Sequence, residues 1–497
     1  MRTALVLLFL LALAAMPGAL LPQRSLNLPN VNTYIAANGW WGRLLDRLQF
    51  FDVYASVWFS AIYLMLFVSL VGCLVPRTFE YAKALRAKPV LTPRNLVRLP
   101  HHDTASTEAS ADEVITSARR RLRGWRMVER AEADGARSIS AERGYLRETG
   151  NLVFHFAMLG LIVALAAGKM VNYEGQVIVV ANGSEFCNAG TLGYDSFRPG
   201  LRVDGTDLNP FCVRVNDFTA SYLPNGQAER FSAGIDYQSG ADLETNTWRP
   251  YELEVNSPLR TAGDRIYLLG QGYAPTFSVT FPDGQTRTQT VQWRPVDNLT
   301  LLSEGATKFD PPGITDSEER RTRQIAVTGL FAPTAFIQDK ILTSRFPDLT
   351  NPAVAIDVMR GDLGIDSGRG QSIFQIDQSL VDSGRLTRVA RENLEPGGEI
   401  VLDDGTKIRF DGVQRFASLQ VSHDPAQVWV LAFAVLMFLG LGTSLIVKRR
   451  RLWVRATPDG DGRTVVAVGG LARTDQAGYG EEFSRIVAML LSPRRDP

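Results

Sequence analysis

The chain has 497 residues, a net charge of +1 and a hydrophobic fraction of 45%. This length has room for two or three domains, and the near-zero charge gives no reason to expect nucleic acid as a partner. Three cysteines are too few for a disulfide scaffold. The sequence contains neither CxxC nor CxxCH, which excludes a thioredoxin-type dithiol and a covalently attached c-type haem.

Apolar residues are concentrated in four nearly uncharged segments. A bilayer core about 30 Å thick needs roughly 20 apolar residues in a helix, and backbone groups in lipid must pair with each other. We therefore predict an α-helical integral membrane protein with four transmembrane helices. The predicted spans are residues 1–21, 54–75, 152–171 and 428–447.

The first of these segments has a second interpretation. Arg2 and the leucine- and alanine-rich stretch after it are also typical of a secretory signal peptide, which would be removed. Pro17-Gly18 equally suit a kink near the far end of a retained helix. The residues by themselves leave both interpretations open.

The placement of basic residues predicts the orientation in the membrane. Arg119-Arg120-Arg121 lie in the loop after the second span, and Lys448-Arg449-Arg450-Arg451 follow the last span. Both regions should be cytoplasmic, and with four spans both termini are then inside. Residues 22–53 form a short outer loop with an interfacial segment, and residues 172–427 form a large domain outside the cytoplasm.

The two cytoplasmic regions, 76–151 and 448–497, each contain half of a small α+β pattern. In the first, Ser110 and Glu113 form a capping box for a short helix, and Asp134-Gly135 joins two short strands. The second half has two strands and a helix near 481–491. Neither half can bury a core alone, so we expect one composite module of four strands and two helices, with 76–104 as an irregular connection.

Residues 172–427 contain many short β-branched and aromatic runs that are broken by turn residues. Pro282-Asp283-Gly284 and Asp403-Asp404-Gly405 are examples of such turns. A mainly-β domain, of sandwich or similar open form, is predicted. The stretch 303–350 fits less well and is expected to include helix.

Cys187 and Cys212 lie 25 residues apart in this domain, in an oxidising compartment. Two interpretations stay open. Either the two cysteines are structural, as a disulfide or as two unpaired thiols, or they undergo thiol exchange with a cysteine of an incoming protein. Cys73 falls in the second span and is interpreted as a small apolar residue.

Nine stretches, spread over nearly the whole chain, are specific as an ordered set rather than singly. They are Thr3–Leu13 with Pro17-Gly18, Phe51–Tyr54, Ser69–Cys73 with Pro76-Arg77, Phe154-His155-Phe156, Phe186–Asn188, Val255–Leu259, Gly270–Pro275, Ser422–Pro425 and Arg450–Trp453. In their order and separations these stretches resemble the ResB (CcsB) family. Ala426 after Asp424-Pro425 departs from the glycine that many members have there.

The resemblance implies system II cytochrome c maturation in a bacterial plasma membrane and favours retention of residues 1–21. It implies a CcsA/ResC-type membrane partner with a tryptophan-rich haem-handling motif, which this chain lacks. The two would pass haem b transiently between them and join it to the CxxCH of apocytochrome c. A thiol-reducing thioredoxin-like protein is a further implied partner. Haem lyase activity would belong to the complex rather than to this chain.

Two histidines are candidate ligands of haem iron. An imidazole within a membrane span is costly without a partner, and His155 shares its helix face with Met158, Leu159 and Ile162, opposite a small-residue face at Gly160, Ala164 and Gly168. An apolar wall around one imidazole suits a haem ligand. The alternatives are a histidine bonded to a neighbouring helix and a proton-handling group.

His423 lies at the outer mouth of the fourth span, where Asp424 is expected to orient its ring. The alternative is an ordinary interfacial residue. The two candidates lie near opposite membrane faces, so they cannot bind one iron together and would serve two successive stations. His101 and His102 are expected to be solvated in a polar cytoplasmic loop.

Two other functions remain open from the sequence. The chain could be a structural scaffold for the haem-handling partner, since no acid, base or nucleophile constellation stands out in the outer domain. It could also be an accessory subunit of a transporter whose outer domain binds a solute.

Overall fold

A computed structural model describes residues 2–24, 28–132, 134–367, 372, 374–459, 461–472 and 478–491. Contacts divide the chain into two compact units, Met1–Leu165 with Val428–Pro497, and Ala166–Gln427. The helices are α1 Arg2–Leu20, α2 Leu28–Ala37, α3 Gly39–Arg47, α4 Val57–Arg86, α5 Ala111–Arg121, α6 Leu146–Val171, α7 Ala241–Thr245, α8 Ser317–Thr322, α9 Gln378–Asp382, α10 Gln427–Ile446 and α11 Tyr479–Leu491.

Three helices in the described part of the chain, α4, α6 and α10, are long and apolar enough to cross a membrane. They agree with three of the predicted spans and identify a membrane protein. The helix α4 does not end with its span at residue 75 but continues through Pro76 to Arg86. The first predicted span is also helical, as α1, but its described apolar part, Leu5–Leu20, is shorter than the other three.

The loop 22–53 forms a small helical hairpin of α2 and α3. Arg24 fastens it by ion pairs of 2.7 Å to both Asp46 and Asp52. Val31, Leu45 and Phe51 form its buried core. Apolar side chains on the outside of α3 stay exposed, including Trp40 and Trp41, which is the amphipathic pattern of a helix lying in a membrane interface.

Many of the strands are rich in β-branched and aromatic residues. The strands are β1 His101–Thr107, β2 Arg126–Ala131, β3 Arg137–Arg143, β4 Tyr173–Val180, β5 Ser184–Cys187, β6 Ser196–Pro199, β7 Phe211–Tyr222, β8 Ala228–Ser239, β9 Arg249–Glu254, β10 Leu259–Thr261, β11 Asp264–Thr280, β12 Thr286–Thr290, β13 Arg294–Pro295, β14 Ser303–Phe309, β15 Ile325–Ala332, β16 Ala335–Gln338, β17 Ile341–Ser344, β18 Ala353–Gly361, β19 Leu386–Leu394, β20 Glu399–Val401, β21 Lys407–His423, β22 Arg450–Pro458 and β23 Thr464–Ala472.

Two segments that are distant in sequence, 101–143 and 450–491, pair into one α+β module, as expected. Among the described residues its antiparallel sheet has the order β1-β23-β22-β3-β2, and α5 and α11 contribute to its core. The sheet therefore has five strands rather than four. The prediction of an irregular connection over 76–104 was wrong at both ends, because α4 extends into it and β1 begins at His101.

The basic residues after α10 are folded into this module. Arg449 and Arg451 contact Glu142 at 3.2 and 2.7 Å, and Arg450 contacts Glu482 at 2.8 Å. Arg450 is completely buried and Arg449 is 4% exposed. Burial opposes ionisation of Glu142, but the Tyr145 hydroxyl and the two arginine charges outweigh it and lower the pKa of that carboxyl.

The β-rich unit contains two cores that share the long strands β11 and β21. At one end these strands face the sheet of order β5-β7-β8-β9, and at the other they face the sheet of order β13-β14-β15-β18-β19. Two register shifts mark bulges in this pair, one at Leu269 of β11 and one at Asp411 of β21, and a bulge lets a strand bend. The mainly-β prediction is confirmed, and 303–350 contains the four strands β14 to β17 and one short helix, α8.

Candidate functional site

His423 is the last residue of β21, between the first residues of two neighbouring strands. On one side it pairs with Tyr173 of β4, and on the other Ser422 pairs with Arg265 of β11. A tight turn at Ala262-Gly263, where both φ angles are positive (51° and 85°), joins β10 to β11. This turn brings Asp264 beside the histidine ring.

The Asp264 carboxylate is completely buried and is approached by four donors. His423 Nδ1 and Asn209 Nδ2 lie 2.7 and 2.9 Å from Oδ1. The Tyr173 hydroxyl and Asn188 Nδ2 lie 2.5 and 3.3 Å from Oδ2. A carboxylate offers about four lone-pair positions, so this arrangement satisfies all of them.

The same contacts assign the hydrogen of the His423 ring. Asn209 Nδ2 also lies 3.1 Å from His423 Nδ1, but an amide nitrogen and a ring N–H are both donors. The shorter, charge-assisted contact with Asp264 takes precedence, so Nδ1 carries the hydrogen and donates it to Asp264. Nε2 then presents a lone pair, and no bonding partner for it is found among the described residues. The ring is 22% exposed.

Asp424 does not orient His423, contrary to the sequence-based expectation. Its Oδ1 instead accepts from the backbone N–H of Ala426 at 3.1 Å, at the start of α10. A carboxylate at a helix N-terminus satisfies a backbone donor that the helix leaves free. The orienting carboxylate comes from Asp264, which is 159 residues away along the chain.

The Tyr173 ring stacks on His423, with ring centroids 5.1 Å apart and planes 14° apart. The Phe197 ring stacks in turn on Tyr173, with ring centroids 5.7 Å apart. Burial and the hydrogen bond to Asp264 raise the pKa of Tyr173 well above its ordinary value of 10. Tyr173 therefore stays a neutral donor, and it closes one face of the imidazole with an apolar ring.

Two asparagines complete the network, and a disulfide lies next to them. Asn188 Nδ2 also donates to the backbone oxygen of Asn209 at 2.9 Å, and Tyr194 donates to Asn188 Oδ1 at 2.7 Å. Cys187 and Cys212, which pair directly across β5 and β7, are joined by a disulfide with Cα atoms 4.1 Å apart. Cys187 is exposed, whereas Asn188 beside it is 1% exposed.

His155 lies in the other unit, two and a half turns from the start of α6. Its Nδ1 is 2.7 Å from the backbone oxygen of Asn151, four residues earlier. A carbonyl oxygen can only accept, so Nδ1 donates and Nε2 again holds the lone pair. The ring is partly buried and meets Phe154 edge to face, with centroids 5.1 Å apart.

Small residues bring α6 and α10 together. A Cβ atom on Gly440 would lie 2.6 Å from the backbone nitrogen of Phe154, and one on Gly160 would lie 2.4 Å from the Phe433 ring. Small residues that allow close approach are typical of helix pairs in membranes. Gly160 therefore has the packing role predicted for it.

The remaining histidines lie in the α+β module. His101 and His102 begin β1 and so do not lie in a loop. The His101 ring packs edge to face on Tyr479, with centroids 5.0 Å apart, and His102 is exposed. Within the described ranges, no three His, Cys, Asp or Glu side chains are grouped as metal ligands.

The sequence profile of the ResB-like family matches residues 1–484. The chain belongs to the ResB-like family. A protein named cytochrome c biogenesis protein CcsB from Synechococcus sp. (strain CC9605) is 25% identical, over 99% of this chain and 95% of the relative. Proteins with the same name from Paulinella chromatophora and Prochlorococcus marinus (strain MIT 9303) are 24% and 23% identical, each over at least 96% of both chains.

Asp264, which contacts the His423 ring in this ResB-like chain, was not predicted from the sequence. The sequence carries a weak signal for it, since Ala262-Gly263 before the strand-like run Arg265–Leu269 suits a tight turn followed by a strand. Nothing local indicates that this strand pairs with residues 407–423. Asn188 and Asn209 were missed for the same reason.

Proposed function

We propose that this chain is the membrane subunit of a system II cytochrome c maturation complex. It helps to carry haem to the outer face and presents haem and apocytochrome for attachment at CxxCH. A CcsA/ResC-type partner shares the haem, and lyase activity belongs to the complex. Membership of the ResB-like family supports this role, as do the names of the relatives.

The observation that carries the haem assignment is common to His155 and His423. In each ring Nδ1 donates to an oxygen, from Asn151 or from Asp264, so that Nε2 is left as the free base. Metal-binding histidines are held in this way, because the bond to the other nitrogen sets both tautomer and ring orientation. Each histidine supplies one axial ligand, and the partner supplies the other.

The arrangement in the membrane is part of the proposal. The helices α1, α4, α6 and α10 form four spans, both termini are cytoplasmic, and residues 172–427 lie outside. The helix α3 lies at the outer face of this membrane and contacts it through Trp40 and Trp41. Fusion of a reporter that is active only in the cytoplasm near residue 300 tests this topology, and activity there would refute it.

The outer domain holds the apocytochrome in this account. The strand β19 lies at the end of its sheet, and most of its residues are exposed. An extended peptide can add to such an edge through backbone hydrogen bonds. Crosslinking groups placed along β19 should capture an apocytochrome peptide, and a survey of 172–427 that captured none would remove this part of the proposal.

The function is tested by haem attachment in cells. The chain, its partner and a reporter cytochrome with one CxxCH motif are produced in a strain that lacks its own maturation system. His155→Ala and His423→Ala should each strongly reduce covalent haem on the reporter, whereas His102→Ala, at an exposed histidine, should not. Normal attachment in the double variant would instead favour the scaffold function.

A further inference from the structure

We infer that the Cys187–Cys212 disulfide positions His423 for haem. The inference rests on the proposed function, since it assumes that His423 binds haem iron. The disulfide touches no haem in this account. It acts through the two asparagines that hold the Asp264 carboxylate.

The geometry links each sulfur to one of these asparagines. Asn188 follows Cys187 directly, and Asn209 lies three residues before Cys212. Both amide groups donate to Asp264, at 3.3 and 2.9 Å, one to each carboxylate oxygen. Asn188 also donates to the backbone oxygen of Asn209. The bond therefore joins the two short segments whose ends surround Asp264.

Without the disulfide, the backbone tie between these segments is slight. The strand β5 has four residues and lies at the end of its sheet. Beyond it, the N–H of Asn188 donates to the oxygen of Phe211 at 2.9 Å. A short terminal strand is weakly held by its own ladder, so a covalent link at its last residue restricts the position of Asn188 considerably.

The site is also open to thiol chemistry. Cys187 is exposed, and Cys212 is partly exposed. A dithiol protein can attack this disulfide: two electrons and two protons pass to the cysteines, and the dithiol becomes a disulfide. Reduction would release β5 and loosen Asn188, so that the Asp264 carboxylate and the His423 ring lose their fixed positions. The affinity for haem at His423 then depends on whether Cys187 and Cys212 are oxidised or reduced.

The test uses the full chain purified with its partner and loaded with haem. Replacement of a group that orients a metal-binding histidine lowers metal affinity about 10- to 100-fold. The double variant Cys187→Ser/Cys212→Ser should therefore release the haem bound by His423 about 10-fold faster to apomyoglobin, with a changed ferrous spectrum. Cys73→Ser, at the free cysteine of α4, is the matched control and should behave as wild type.

A second measurement covers the case in which the serine variant does not fold. Wild-type complex is treated with dithiothreitol, freed of it by gel filtration and divided, and the disulfide is re-formed in one half with oxidised glutathione. Dithionite is added to each half only when the ferrous spectrum is recorded. The spectrum of the reduced half should differ from that of untreated complex, and the spectrum of the reoxidised half should match it. The inference would be overturned if the spectrum and the release rate were unchanged in both measurements while His423→Ala lost the haem bound at that position. The proposed function would then stay intact. If His423→Ala retains all haem, both are overturned.

Discussion

The Asp264 carboxylate offers the sharpest test of the haem site proposed at His423, through Asp264→Asn. The substitution keeps the volume of the side chain but replaces one acceptor oxygen by an NH₂ donor. Whichever way the amide turns, that NH₂ faces two of the four donors, either His423 with Asn209 or Tyr173 with Asn188. In either position one neighbour can accept from that NH₂ instead, Tyr173 through its hydroxyl oxygen or His423 by moving its hydrogen to Nε2, but the asparagine NH₂ beside it cannot. The site therefore loses at least one hydrogen bond and its negative charge.

The expected effect on haem is a loss of affinity at His423 of about 10- to 100-fold, which corresponds to about 1.4–2.7 kcal/mol. A buried donor left without an acceptor costs about 1–3 kcal/mol, so the free energy of unfolding should fall by at least that amount as well. The haem effect is measured as release to apomyoglobin from the purified complex carrying His155→Ala, which isolates the outer site.

The control is Asp424→Asn, at the carboxylate next to His423 in sequence. Its contact with the N–H of Ala426 is one that an asparagine oxygen also makes. Haem release should therefore be unchanged. Equal release rates for Asp264→Asn and wild type, or a larger effect of Asp424→Asn, would refute the assignment of Asp264 as the orienting group.

Two further predictions concern the other unit. Because the folded-state pKa of Glu142 is lowered from an ordinary value of 4.5, its contribution to stability is present above that pH and is lost as the pH falls below it. Glu142→Gln should remove this acid dependence and destabilise the chain by about 3–5 kcal/mol, as for a broken buried ion pair. The control Glu318→Gln, at a side chain that is 81% exposed, should change the stability little. Chemical unfolding at pH 7 and pH 4 measures both effects. Gly440→Val should lower the unfolding temperature in detergent, because the added Cβ meets backbone atoms of α6. Gly442→Val should not, because nothing lies within 4 Å of a Cβ at that position. Equal unfolding temperatures for the two variants would show that α6 and α10 do not pack at Gly440.

The parts of the fold that follow from local patterns were predictable. The runs that became α4, α6 and α10 are apolar over the length of a bilayer, and the capping box at Ser110 and Glu113 forms as expected. The pairing of the two halves of the α+β module followed from the size of each half, which is too small for its own core. The fifth strand was not predictable, because the polar residues of β1 show no alternation and gain their place by pairing with β23.

The candidate site was predictable only in part. His155 stands out as an ionisable residue in an apolar run, and His423 stands out beside a span. The group that orients His423 does not stand out, because a carboxylate next in sequence is an obvious candidate and a turn 159 residues away is not. Side chains brought together by pairing of distant strands leave no local pattern, and this applies equally to Asn188 and Asn209.

The central claim is that His155 and His423 bind haem iron through Nε2. The most direct measurement is the absorption spectrum of the chain purified with its partner, before and after reduction. The account predicts a haem spectrum that weakens in His155→Gly and in His423→Gly and returns when imidazole is added, since imidazole can replace the missing ring. A complex that is colourless in both redox states, or a spectrum unchanged in the double variant, would contradict it.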